Sequence, residues 1–355
     1  MKLWICFSIL LLLILAMLGL RPPAISGQNA ATRSSSKPTE QTMLFVGDVM
    51  LSRGVGSRMK AEGDWTFPFQ KVADALNDAD LTFGNLECPV SDTGKNQHHI
   101  YSFRADPNAI EGLTFAGFDV MSVANNHMFD WGPAALLDTL SRLRSAGIRP
   151  VGAGVNDLEA HYPVLVNLNG VKLAFLAYVN VPPREAAAGP AQTGVAWMNP
   201  GQVIADIRFA RPLADVVIVT PHWGVEYAKR PGKSQVEFAR RMIDAGADLI
   251  VGSHPHVVQP LEEYRGRWIA YSLGNFVFDQ KDPATHRGLM LLVKLKGRRI
   301  EKVEPQRIEI TPAFQAQVSS QQESSSSVSA GTRPGHTPAV SAREPSTSGS
   351  KNRQP

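Results

Sequence analysis

Two histidines separated by a single proline, His254 and His256, have the spacing that points most directly to chemistry. In an extended loop after a strand, residues two apart point the same way, so both imidazoles can face one site. Histidine is the commonest metal ligand near neutral pH. Taken alone, the pair fits a metal site and a pair of surface histidines beside a proline turn equally well.

A second candidate is Asn126-His127, followed by Asp130. The amide oxygen of Asn126 is a neutral metal donor, and His127 is a natural general acid. The alternative is an Asx turn, in which the asparagine and the aspartate cap the helix predicted to start at Pro133. Taken alone, this motif favours capping.

Asp48, Glu87 and His222 each follow a short apolar run and are weaker signals when taken singly. A carboxylate at a strand end is often a helix N-cap, and a lone histidine is usually buried and hydrogen-bonded. Glu226, four residues after His222, either orients that histidine or pairs with the basic residues that follow it.

Considered together, these side chains supply enough nitrogen and oxygen donors for one or two divalent ions. The candidate ligands are Asp48, Glu87, Asn126, His222, His254 and His256. Since no thiolate is among them, Mn²⁺, Fe or Zn²⁺ is the predicted metal, and an all-oxygen calcium cage is not expected. Two such ions would clamp a phosphoryl group and activate water, with His127 protonating the leaving oxygen.

Three further residues are candidates for contact with a substrate. Arg104 could hold an anionic phosphate or carboxylate through two hydrogen bonds, although an ion pair with Asp106 fits the sequence as well. Asn275 could line the cleft and bind substrate. Cys88 adds a thiol nucleophile as a minor alternative, because nothing in the sequence marks it as a reactive thiolate.

The elements that would position these residues are five short apolar runs, each ending at a polar cluster. The runs are 44–46, 81–83, 120–123, 216–219 and 249–251. They are separated by helical patterns, the clearest at 133–146 and 233–245, which predicts an α/β layered fold. In open α/β sheets, ligands bind beyond the carboxyl ends of the strands, so the clusters are expected to share one cleft.

The end of the predicted domain has a different pattern. Residues 289–295 and 300–310 flank a turn at Gly297 with no helix between them, which indicates an antiparallel hairpin. A purely parallel sheet is therefore not expected. Mixed sheets packed between helices fit the pattern better.

The two ends of the chain differ in composition from the middle. Residues 3–20 are almost uninterrupted in apolar character, so 1–26 is predicted to be a membrane anchor or, less favoured, a cleaved signal peptide. A polar tether is predicted at 27–42, the folded domain at 43–312 and a disordered Ser/Pro-rich tail at 313–355. The domain is thus expected outside the cytoplasm, at the cell membrane or, after cleavage, secreted or periplasmic.

The net charge of +4 is carried by these two ends. The first 42 residues carry +3 and the last 43 carry +2, which leaves the folded part at −1. A domain that binds nucleic acid normally carries a basic surface, so that class of partner is not expected.

Six motifs, in order, resemble the bacterial CapA family of capsule-synthesis proteins, which are linked to poly-γ-glutamate. They are GDVM at 47–50, GNLE at 84–87, NNH at 125–127 with DWG at 130–132, HWGVEY at 222–227, GSHPH at 252–256 and SLGNF at 272–276. The resemblance runs from about residue 43 to residue 310. That family is similar to the calcineurin-like metallophosphoesterases, which implies a mixed β-sandwich flanked by helical layers. The family is similar in membrane anchoring too.

The resemblance to metallophosphoesterases implies a role for each candidate ligand. Asp48 stands where the first metal-binding aspartate stands, and Glu87 takes the place of the usual bridging aspartate. Asn126 and His127 match the pair that combines a ligand with a general acid.

The remaining motifs match with one departure. His222 matches the lone later histidine of that pattern, while His254 and His256 match its closing pair. The pattern also has a histidine two residues after its first aspartate, and this chain has Met50 there. The resemblance therefore implies either a single metal ion or an altered coordination.

Two functions are consistent with these features. The first is an exported, membrane-anchored, metal-dependent hydrolase of capsule biosynthesis, acting on a phosphoester or an anionic polymer. The alternative is a non-catalytic binding or scaffold component of a membrane complex for polymer synthesis and export. A thiol-dependent amide hydrolase or transferase using Cys88 ranks behind both.

Overall fold

A computed structural model describes residues 40–319 of the 355-residue chain. The predicted anchor, nearly all of the tether and most of the predicted tail lie outside the described residues. Between residues 40 and 319, no helix is long and apolar enough to cross a membrane.

Seven α-helices occur in the described part of the chain. They are α1 (Arg53–Glu62), α2 (Ala73–Asn77), α3 (Ala109–Phe115), α4 (Gly132–Ser145), α5 (Asp157–His161), α6 (Pro200–Ala210) and α7 (Lys233–Ala245). The two helices with the clearest sequence pattern, α4 and α7, lie where they were predicted, because each has an apolar stripe at helical spacing and a glycine just beyond its end.

Sixteen strands are formed by the described residues. The first eight are β1 (Gln41–Val49), β2 (Leu81–Leu86), β3 (Val120–Ser122), β4 (Arg149–Val151), β5 (Ala153–Gly154), β6 (Val164–Leu168), β7 (Val171–Val179) and β8 (Gly194–Val195). The others are β9 (Val216–His222), β10 (Leu249–Val251), β11 (Leu261–Tyr264), β12 (Arg267–Ala270), β13 (Asn275–Val277), β14 (Arg287–Lys296), β15 (Arg299–Ile310) and β16 (Ala316–Val318).

Most of these strands form two large mixed sheets. The first has the order β16-β15-β14-β1-β2-β3-β4, with β13 also paired to β1. The second has the order β11-β12-β10-β9-β7-β6. Strands β1 to β4 are parallel, as are β7, β9, β10 and β12, whereas β14 and β15 form the predicted antiparallel hairpin.

The two sheets face each other and share a core of aromatic side chains. Phe45 and Phe83 of the first sheet pack against Phe175 of the second, and the rings of Phe83 and Phe175 stack at 5.8 Å with an interplanar angle of 7°. Burying such a side chain contributes roughly 1.5–3 kcal/mol relative to leaving it exposed. This core therefore fixes how the strand ends of the two sheets meet.

Helices cover the outer face of each sheet. Helices α1 to α4 pack on the first sheet, where Leu44 and Val46 of β1 point toward them, while Met43 and Phe45 point into the core between the sheets. Helices α6 and α7 pack on the second sheet. Because both faces of each sheet are covered, the strands read as continuous apolar runs. The predicted fold class, a mixed β-sandwich flanked by helical layers, is confirmed.

The folded part of the chain extends past the predicted domain end at residue 312. Ala316 is buried, and β16 pairs with β15 at the edge of the first sheet. A three-residue edge strand has too few side chains to show an alternating pattern. Its boundary is set by the long strand β15 beside it.

Candidate metal centre

Five donor side chains converge where the parallel strands of both sheets end. Asp48 lies in β1, Glu87 follows β2, His222 ends β9, and His254 and His256 lie in the loop after β10. Each of these residues is 4 % exposed or less. Three of the five predicted runs continue as strands into their motifs, so the donors lie on or next to ordered backbone.

The two carboxylates share one amide. Asn85 Nδ2 donates to Asp48 Oδ1 at 2.8 Å and to Glu87 Oε2 at 3.2 Å. Asp48 Oδ2 accepts from the backbone amide of His254 at 3.3 Å. The remaining carboxylate oxygen, Oε1 of Glu87, is buried without a hydrogen-bond partner.

Burial and repulsion act together on Glu87. Removal from water, followed by the charge of Asp48, raises the pKa of Glu87 well above its ordinary value. A pair of buried carboxylates in contact is costly unless a proton or a cation neutralises it. The pair is therefore suited to a cation.

His222 links the two sheets at this point. Its Nε2 lies 2.8 Å from Asn126 Oδ1, and its Nδ1 lies 2.9 Å from Ser253 Oγ. Burial, followed by repulsion from His254, lowers the pKa of His222 well below its ordinary value. The imidazole is therefore neutral at physiological pH, which is the form that binds metals.

The histidine pair is held by an unusual backbone. His254 and His256 have positive φ angles of 97° and 58°. Such a backbone costs a residue other than glycine about 1–3 kcal/mol, and residues with this strain cluster at functional sites. Burial lowers the pKa of His254 to about 3, and its Nδ1 is buried without a partner. Nε2 of His256 lies 3.6 Å from Glu87 Oε1.

The donors fall into two groups of three whose ligand atoms all lie within 4.8 Å of one another. They are Asp48 with Glu87 and His222, and Glu226 with His254 and His256. The unpaired buried atoms of Glu87 and His254 belong one to each group. The mixed nitrogen and oxygen donor set and these two unpaired atoms fit a divalent transition metal.

His127 lies beside this cluster and is held by Asp130. Nδ1 of His127 is 2.8 Å from Asp130 Oδ2, and its ring stacks on Phe103 at 3.9 Å. The alternative role for Asp130, capping α4, is not observed: the N-cap position is Trp131 and has no side-chain cap. The Asx turn is made by Asn125, whose Oδ1 accepts from the amide of His127.

Four residues of the centre had not been given these roles from the sequence. Asn85 and Ser253 hold the ligand side chains, Asp130 holds His127, and His99 lies with its Nδ1 2.9 Å from Asp130 Oδ1. Asn85 and Ser253 lie inside the recognised motifs, which is the one signal that could have found them. His99 lies in a polar loop that gives no such signal.

Asn275, predicted to contact substrate, is engaged within the protein. Its Oδ1 lies 2.9 Å from His256 Nδ1, and its Nδ2 donates to Gln280 and to the carbonyl of Thr285. The observed role of Asn275 is therefore to orient His256. Its contact with substrate stays a prediction.

Arg104 remains a candidate for binding an anion. Its guanidinium lies 3.4 Å from the centre of the Trp131 ring and donates to the Thr93 carbonyl. Within the described residues it makes no ion pair with Asp106. Together with Arg53, which is paired with Asp279, it lines a cavity of about 390 Å³ whose walls also carry Asp92 and Asp106.

The structure disfavours the thiol alternative. Cys88 is 0 % exposed, and its Sγ accepts from the backbone amide of Leu51 at 3.3 Å. Burial raises the pKa of the Cys88 thiol to about 12. A thiol that is neither accessible nor ionised is not a nucleophile.

The fold and the site define a two-sheet α/β protein with a carboxylate–histidine cluster at the ends of its parallel strands. Comparison with known proteins gives the family. Residues 42–280 match the family described as bacterial capsule synthesis protein PGA_cap, and the chain belongs to it. The predicted CapA membership is thereby confirmed.

Two curated relatives agree with this assignment. The capsule biosynthesis protein CapA of Bacillus anthracis is 38% identical over 67% of this chain and 60% of that protein. The PGA biosynthesis protein CapA of Bacillus subtilis (strain 168) is 36% identical over 77% of this chain and 73% of that protein. The chain thus matches less than two thirds of the first relative's length.

One solved structure that is similar to this chain is described as the calcineurin-like phosphoesterase YfkN from Bacillus subtilis. It matches 79% of this chain and 88% of its own chain, with 14% identity and a TM-score of 0.40. The architecture described above follows from the strand order of this chain itself.

Proposed function

We propose that this protein is an exported, membrane-anchored, metal-dependent hydrolase of the phosphoesterase type that acts in capsule biosynthesis. The observation that carries the proposal is the buried cluster around Asp48 and Glu87, which has unpaired donor atoms and a carboxylate-held histidine beside it. In a purely structural cluster, buried donor atoms normally have hydrogen-bond partners within the protein.

The residues that would hold the metal are the six predicted ligands, Asp48, Glu87, Asn126, His222, His254 and His256. They suit one or two ions of Mn, Fe or Zn. Such an ion, when bound, supplies Lewis-acid polarisation and a water of lowered pKa. The chain supplies orientation: Asn85 fixes both carboxylates, Ser253 fixes His222, and Asn275 fixes His256.

His127 is the proposed general acid. The Asp130 carboxylate beside Nδ1 favours the tautomer that carries its proton there, which leaves Nε2 as the nitrogen that exchanges protons with substrate. When His127 is protonated, Asp130 stabilises the imidazolium, and Nε2–H is donated to the leaving oxygen. Stacking on Phe103 limits rotation of the ring.

The proposed substrate is a phosphoester or an anionic polymer, and the proposed setting is a membrane complex for polymer synthesis. Two observations support this choice. The relatives named above are called capsule and PGA biosynthesis proteins. Arg104, which forms no ion pair among the described residues, faces a cavity where it can bind an anionic group.

The membrane anchor is proposed from the apolar run at residues 3–20. An anchored chain sediments with membranes and is released only by detergent. Recovery of a shortened, soluble protein from the medium or periplasm would contradict the anchor and favour a cleaved signal.

A second candidate function is a non-catalytic binding component of the same complex. One observation favours it: Met50 occupies the position where the metallophosphoesterase pattern has a histidine. In that case the cleft would bind a polymer or a partner without hydrolysing it.

One experiment distinguishes the two functions. The full chain is purified in detergent, its metal content is measured by elemental analysis, and cleavage of phosphoesters and of poly-γ-glutamate is assayed with Mn²⁺ and with a chelator. We expect bound metal and chelator-sensitive cleavage in the wild type, and the loss of both in His256→Ala. His98→Asn is the control and is expected to keep both, because His98 is exposed and has a backbone φ of 60°, close to the 58° of His256. Absence of metal in the wild type would overturn the hydrolase proposal.

A further inference from the structure

Met50, which stands where the metallophosphoesterase pattern has a histidine ligand, is part of the hydrophobic core. Met50 is 0 % exposed and packs in the core between the first sheet and its helices. Its Sδ accepts from the amide of Ser52 at 3.1 Å. A side chain held in this way offers nothing to an ion, so any replacement ligand must come from another part of the fold.

The loop after β9 brings a carboxylate to the same centre. Glu226 lies with its carboxylate oxygen within 4.8 Å of ring nitrogens of both His254 and His256. We propose that Glu226 completes a second metal position with His254 and His256, and so supplies a ligand that the metallophosphoesterase pattern does not include. This inference rests on the metal centre of the proposed function.

The loop that carries Glu226 is fixed against the histidine loop. The amide of Trp223 donates to the Ser253 carbonyl at 3.1 Å, and the amide of Tyr227 donates to the Pro255 carbonyl at 2.8 Å. These two bonds bracket Glu226. The backbone on either side of Glu226 is therefore fixed relative to the histidine loop.

Glu226 has no competing partner among the described residues. Among these residues, the ion pair with the following basic residues, expected as one alternative from the sequence, is not formed, and Glu226 accepts no hydrogen bond from His222.

His254 provides the independent sign of a missing ligand. It is 4 % exposed, and its Nδ1 has no hydrogen-bond partner. A buried, unpaired imidazole nitrogen destabilises the fold unless something outside the protein satisfies it. Its pairing with a second histidine and a carboxylate points to an ion.

The two positions would differ in exposure. The group of Asp48, Glu87 and His222 is buried throughout, whereas Glu226 is exposed. Two imidazoles and one carboxylate suit Zn²⁺, Mn²⁺ or Fe²⁺ and leave coordination positions open. The outer position is therefore the one that faces incoming substrate.

The test measures metal binding and needs no substrate. The full chain is stripped with a chelator and titrated with Mn²⁺ by calorimetry, and bound metal is counted by elemental analysis. We expect two ions per wild-type chain. Glu226→Gln is expected to lose one ion or to bind it about 10- to 100-fold more weakly. Glu237→Gln, a change at an exposed glutamate of α7, is expected to bind both ions normally.

Each outcome decides a different point. If Glu226→Gln binds two ions with wild-type affinity, or if the wild type binds only one, the second position is overturned while the proposed function stands. If the wild type binds no metal, the proposed metal centre itself fails. Unchanged far-ultraviolet circular dichroism of Glu226→Gln, expected for an exposed side chain, shows that lost binding is not lost folding.

Discussion

The carboxylate of Asp130 holds the imidazole of His127, with 2.8 Å between Oδ2 and Nδ1. Both residues are at least nine-tenths buried, so this contact is made in a medium where charge–dipole interactions are strong. The other oxygen of the carboxylate lies 2.9 Å from a ring nitrogen of His99, which fixes the carboxylate in turn. His127 is thus a pre-oriented acid.

The first prediction concerns this pair. Asp130→Asn is expected to lower kcat nearly as much as His127→Ala, by about 10²- to 10⁴-fold, because the amide can present its N–H to Nδ1 and favour the wrong tautomer. The double variant should be little worse than either single one, since the two residues act as a unit. Turnover of a phosphoester by the three variants measures this. Additive losses, or lost metal in Asp130→Asn, would contradict the assigned role.

The second prediction concerns Cys88. With a pKa of about 12 and no exposure, the native thiol is expected to resist iodoacetamide at pH 8 and to react only when the chain is unfolded in urea. Because the folded pKa is raised, thiolate forms only as the pH approaches that value. Mass spectrometry of the peptide containing Cys88 separates it from Cys6. Rapid labelling of native Cys88, or loss of activity in Cys88→Ala without loss of metal, would restore the thiol alternative.

The third prediction concerns Gly47, where two backbones touch. A Cβ at this position would lie 1.8 Å from the Gly274 carbonyl oxygen, which accepts from the Asp48 amide at 3.0 Å. Gly47→Ala is expected to lower the free energy of unfolding by about 3 kcal/mol or more, since the backbone must move.

Gly201→Ala is the matched control for this change. Gly201 lies in the first turn of α6 and its backbone φ is not positive. A Cβ added there would meet nothing closer than 3.4 Å. This substitution should raise the free energy of unfolding by about 0.5–1 kcal/mol. Urea denaturation of both variants provides the comparison, and a tolerated Gly47→Ala would contradict the observed contact.

The fourth prediction concerns metal removal. Because Asp48 and Glu87 lie close together and buried, the stripped protein is expected to unfold at a lower temperature than the loaded one. At a free Mn²⁺ concentration of 100 times Kd, a bound ion stabilises the fold by about 2.7 kcal/mol. Differential scanning calorimetry at several Mn²⁺ concentrations measures the shift. No shift in the wild type, or an equal shift in His254→Ala, would argue against a metal at this centre.

Local sequence was enough to predict the elements that repeat a simple pattern. The apolar stripes predicted α4 and α7, and the paired runs around Gly297 predicted the β14–β15 hairpin. The small edge strand β16 was missed, because three residues do not carry a pattern. Its pairing depends on β15, which the local sequence around Ala316 does not encode.

The candidate metal centre was also predicted only in part from the sequence. The sequence determined which side chains end the strands, and parallel strands place such ends at one edge, so Asp48, Glu87 and His222 were predicted to meet. Only the tertiary structure decided that Asp130 holds His127, that Asn275 is occupied with His256, and that Cys88 is sealed from solvent. These depend on the packing of two sheets and on left-handed turns, which join residues far apart in the chain. Strand ends are local, whereas contacts across the sandwich are not.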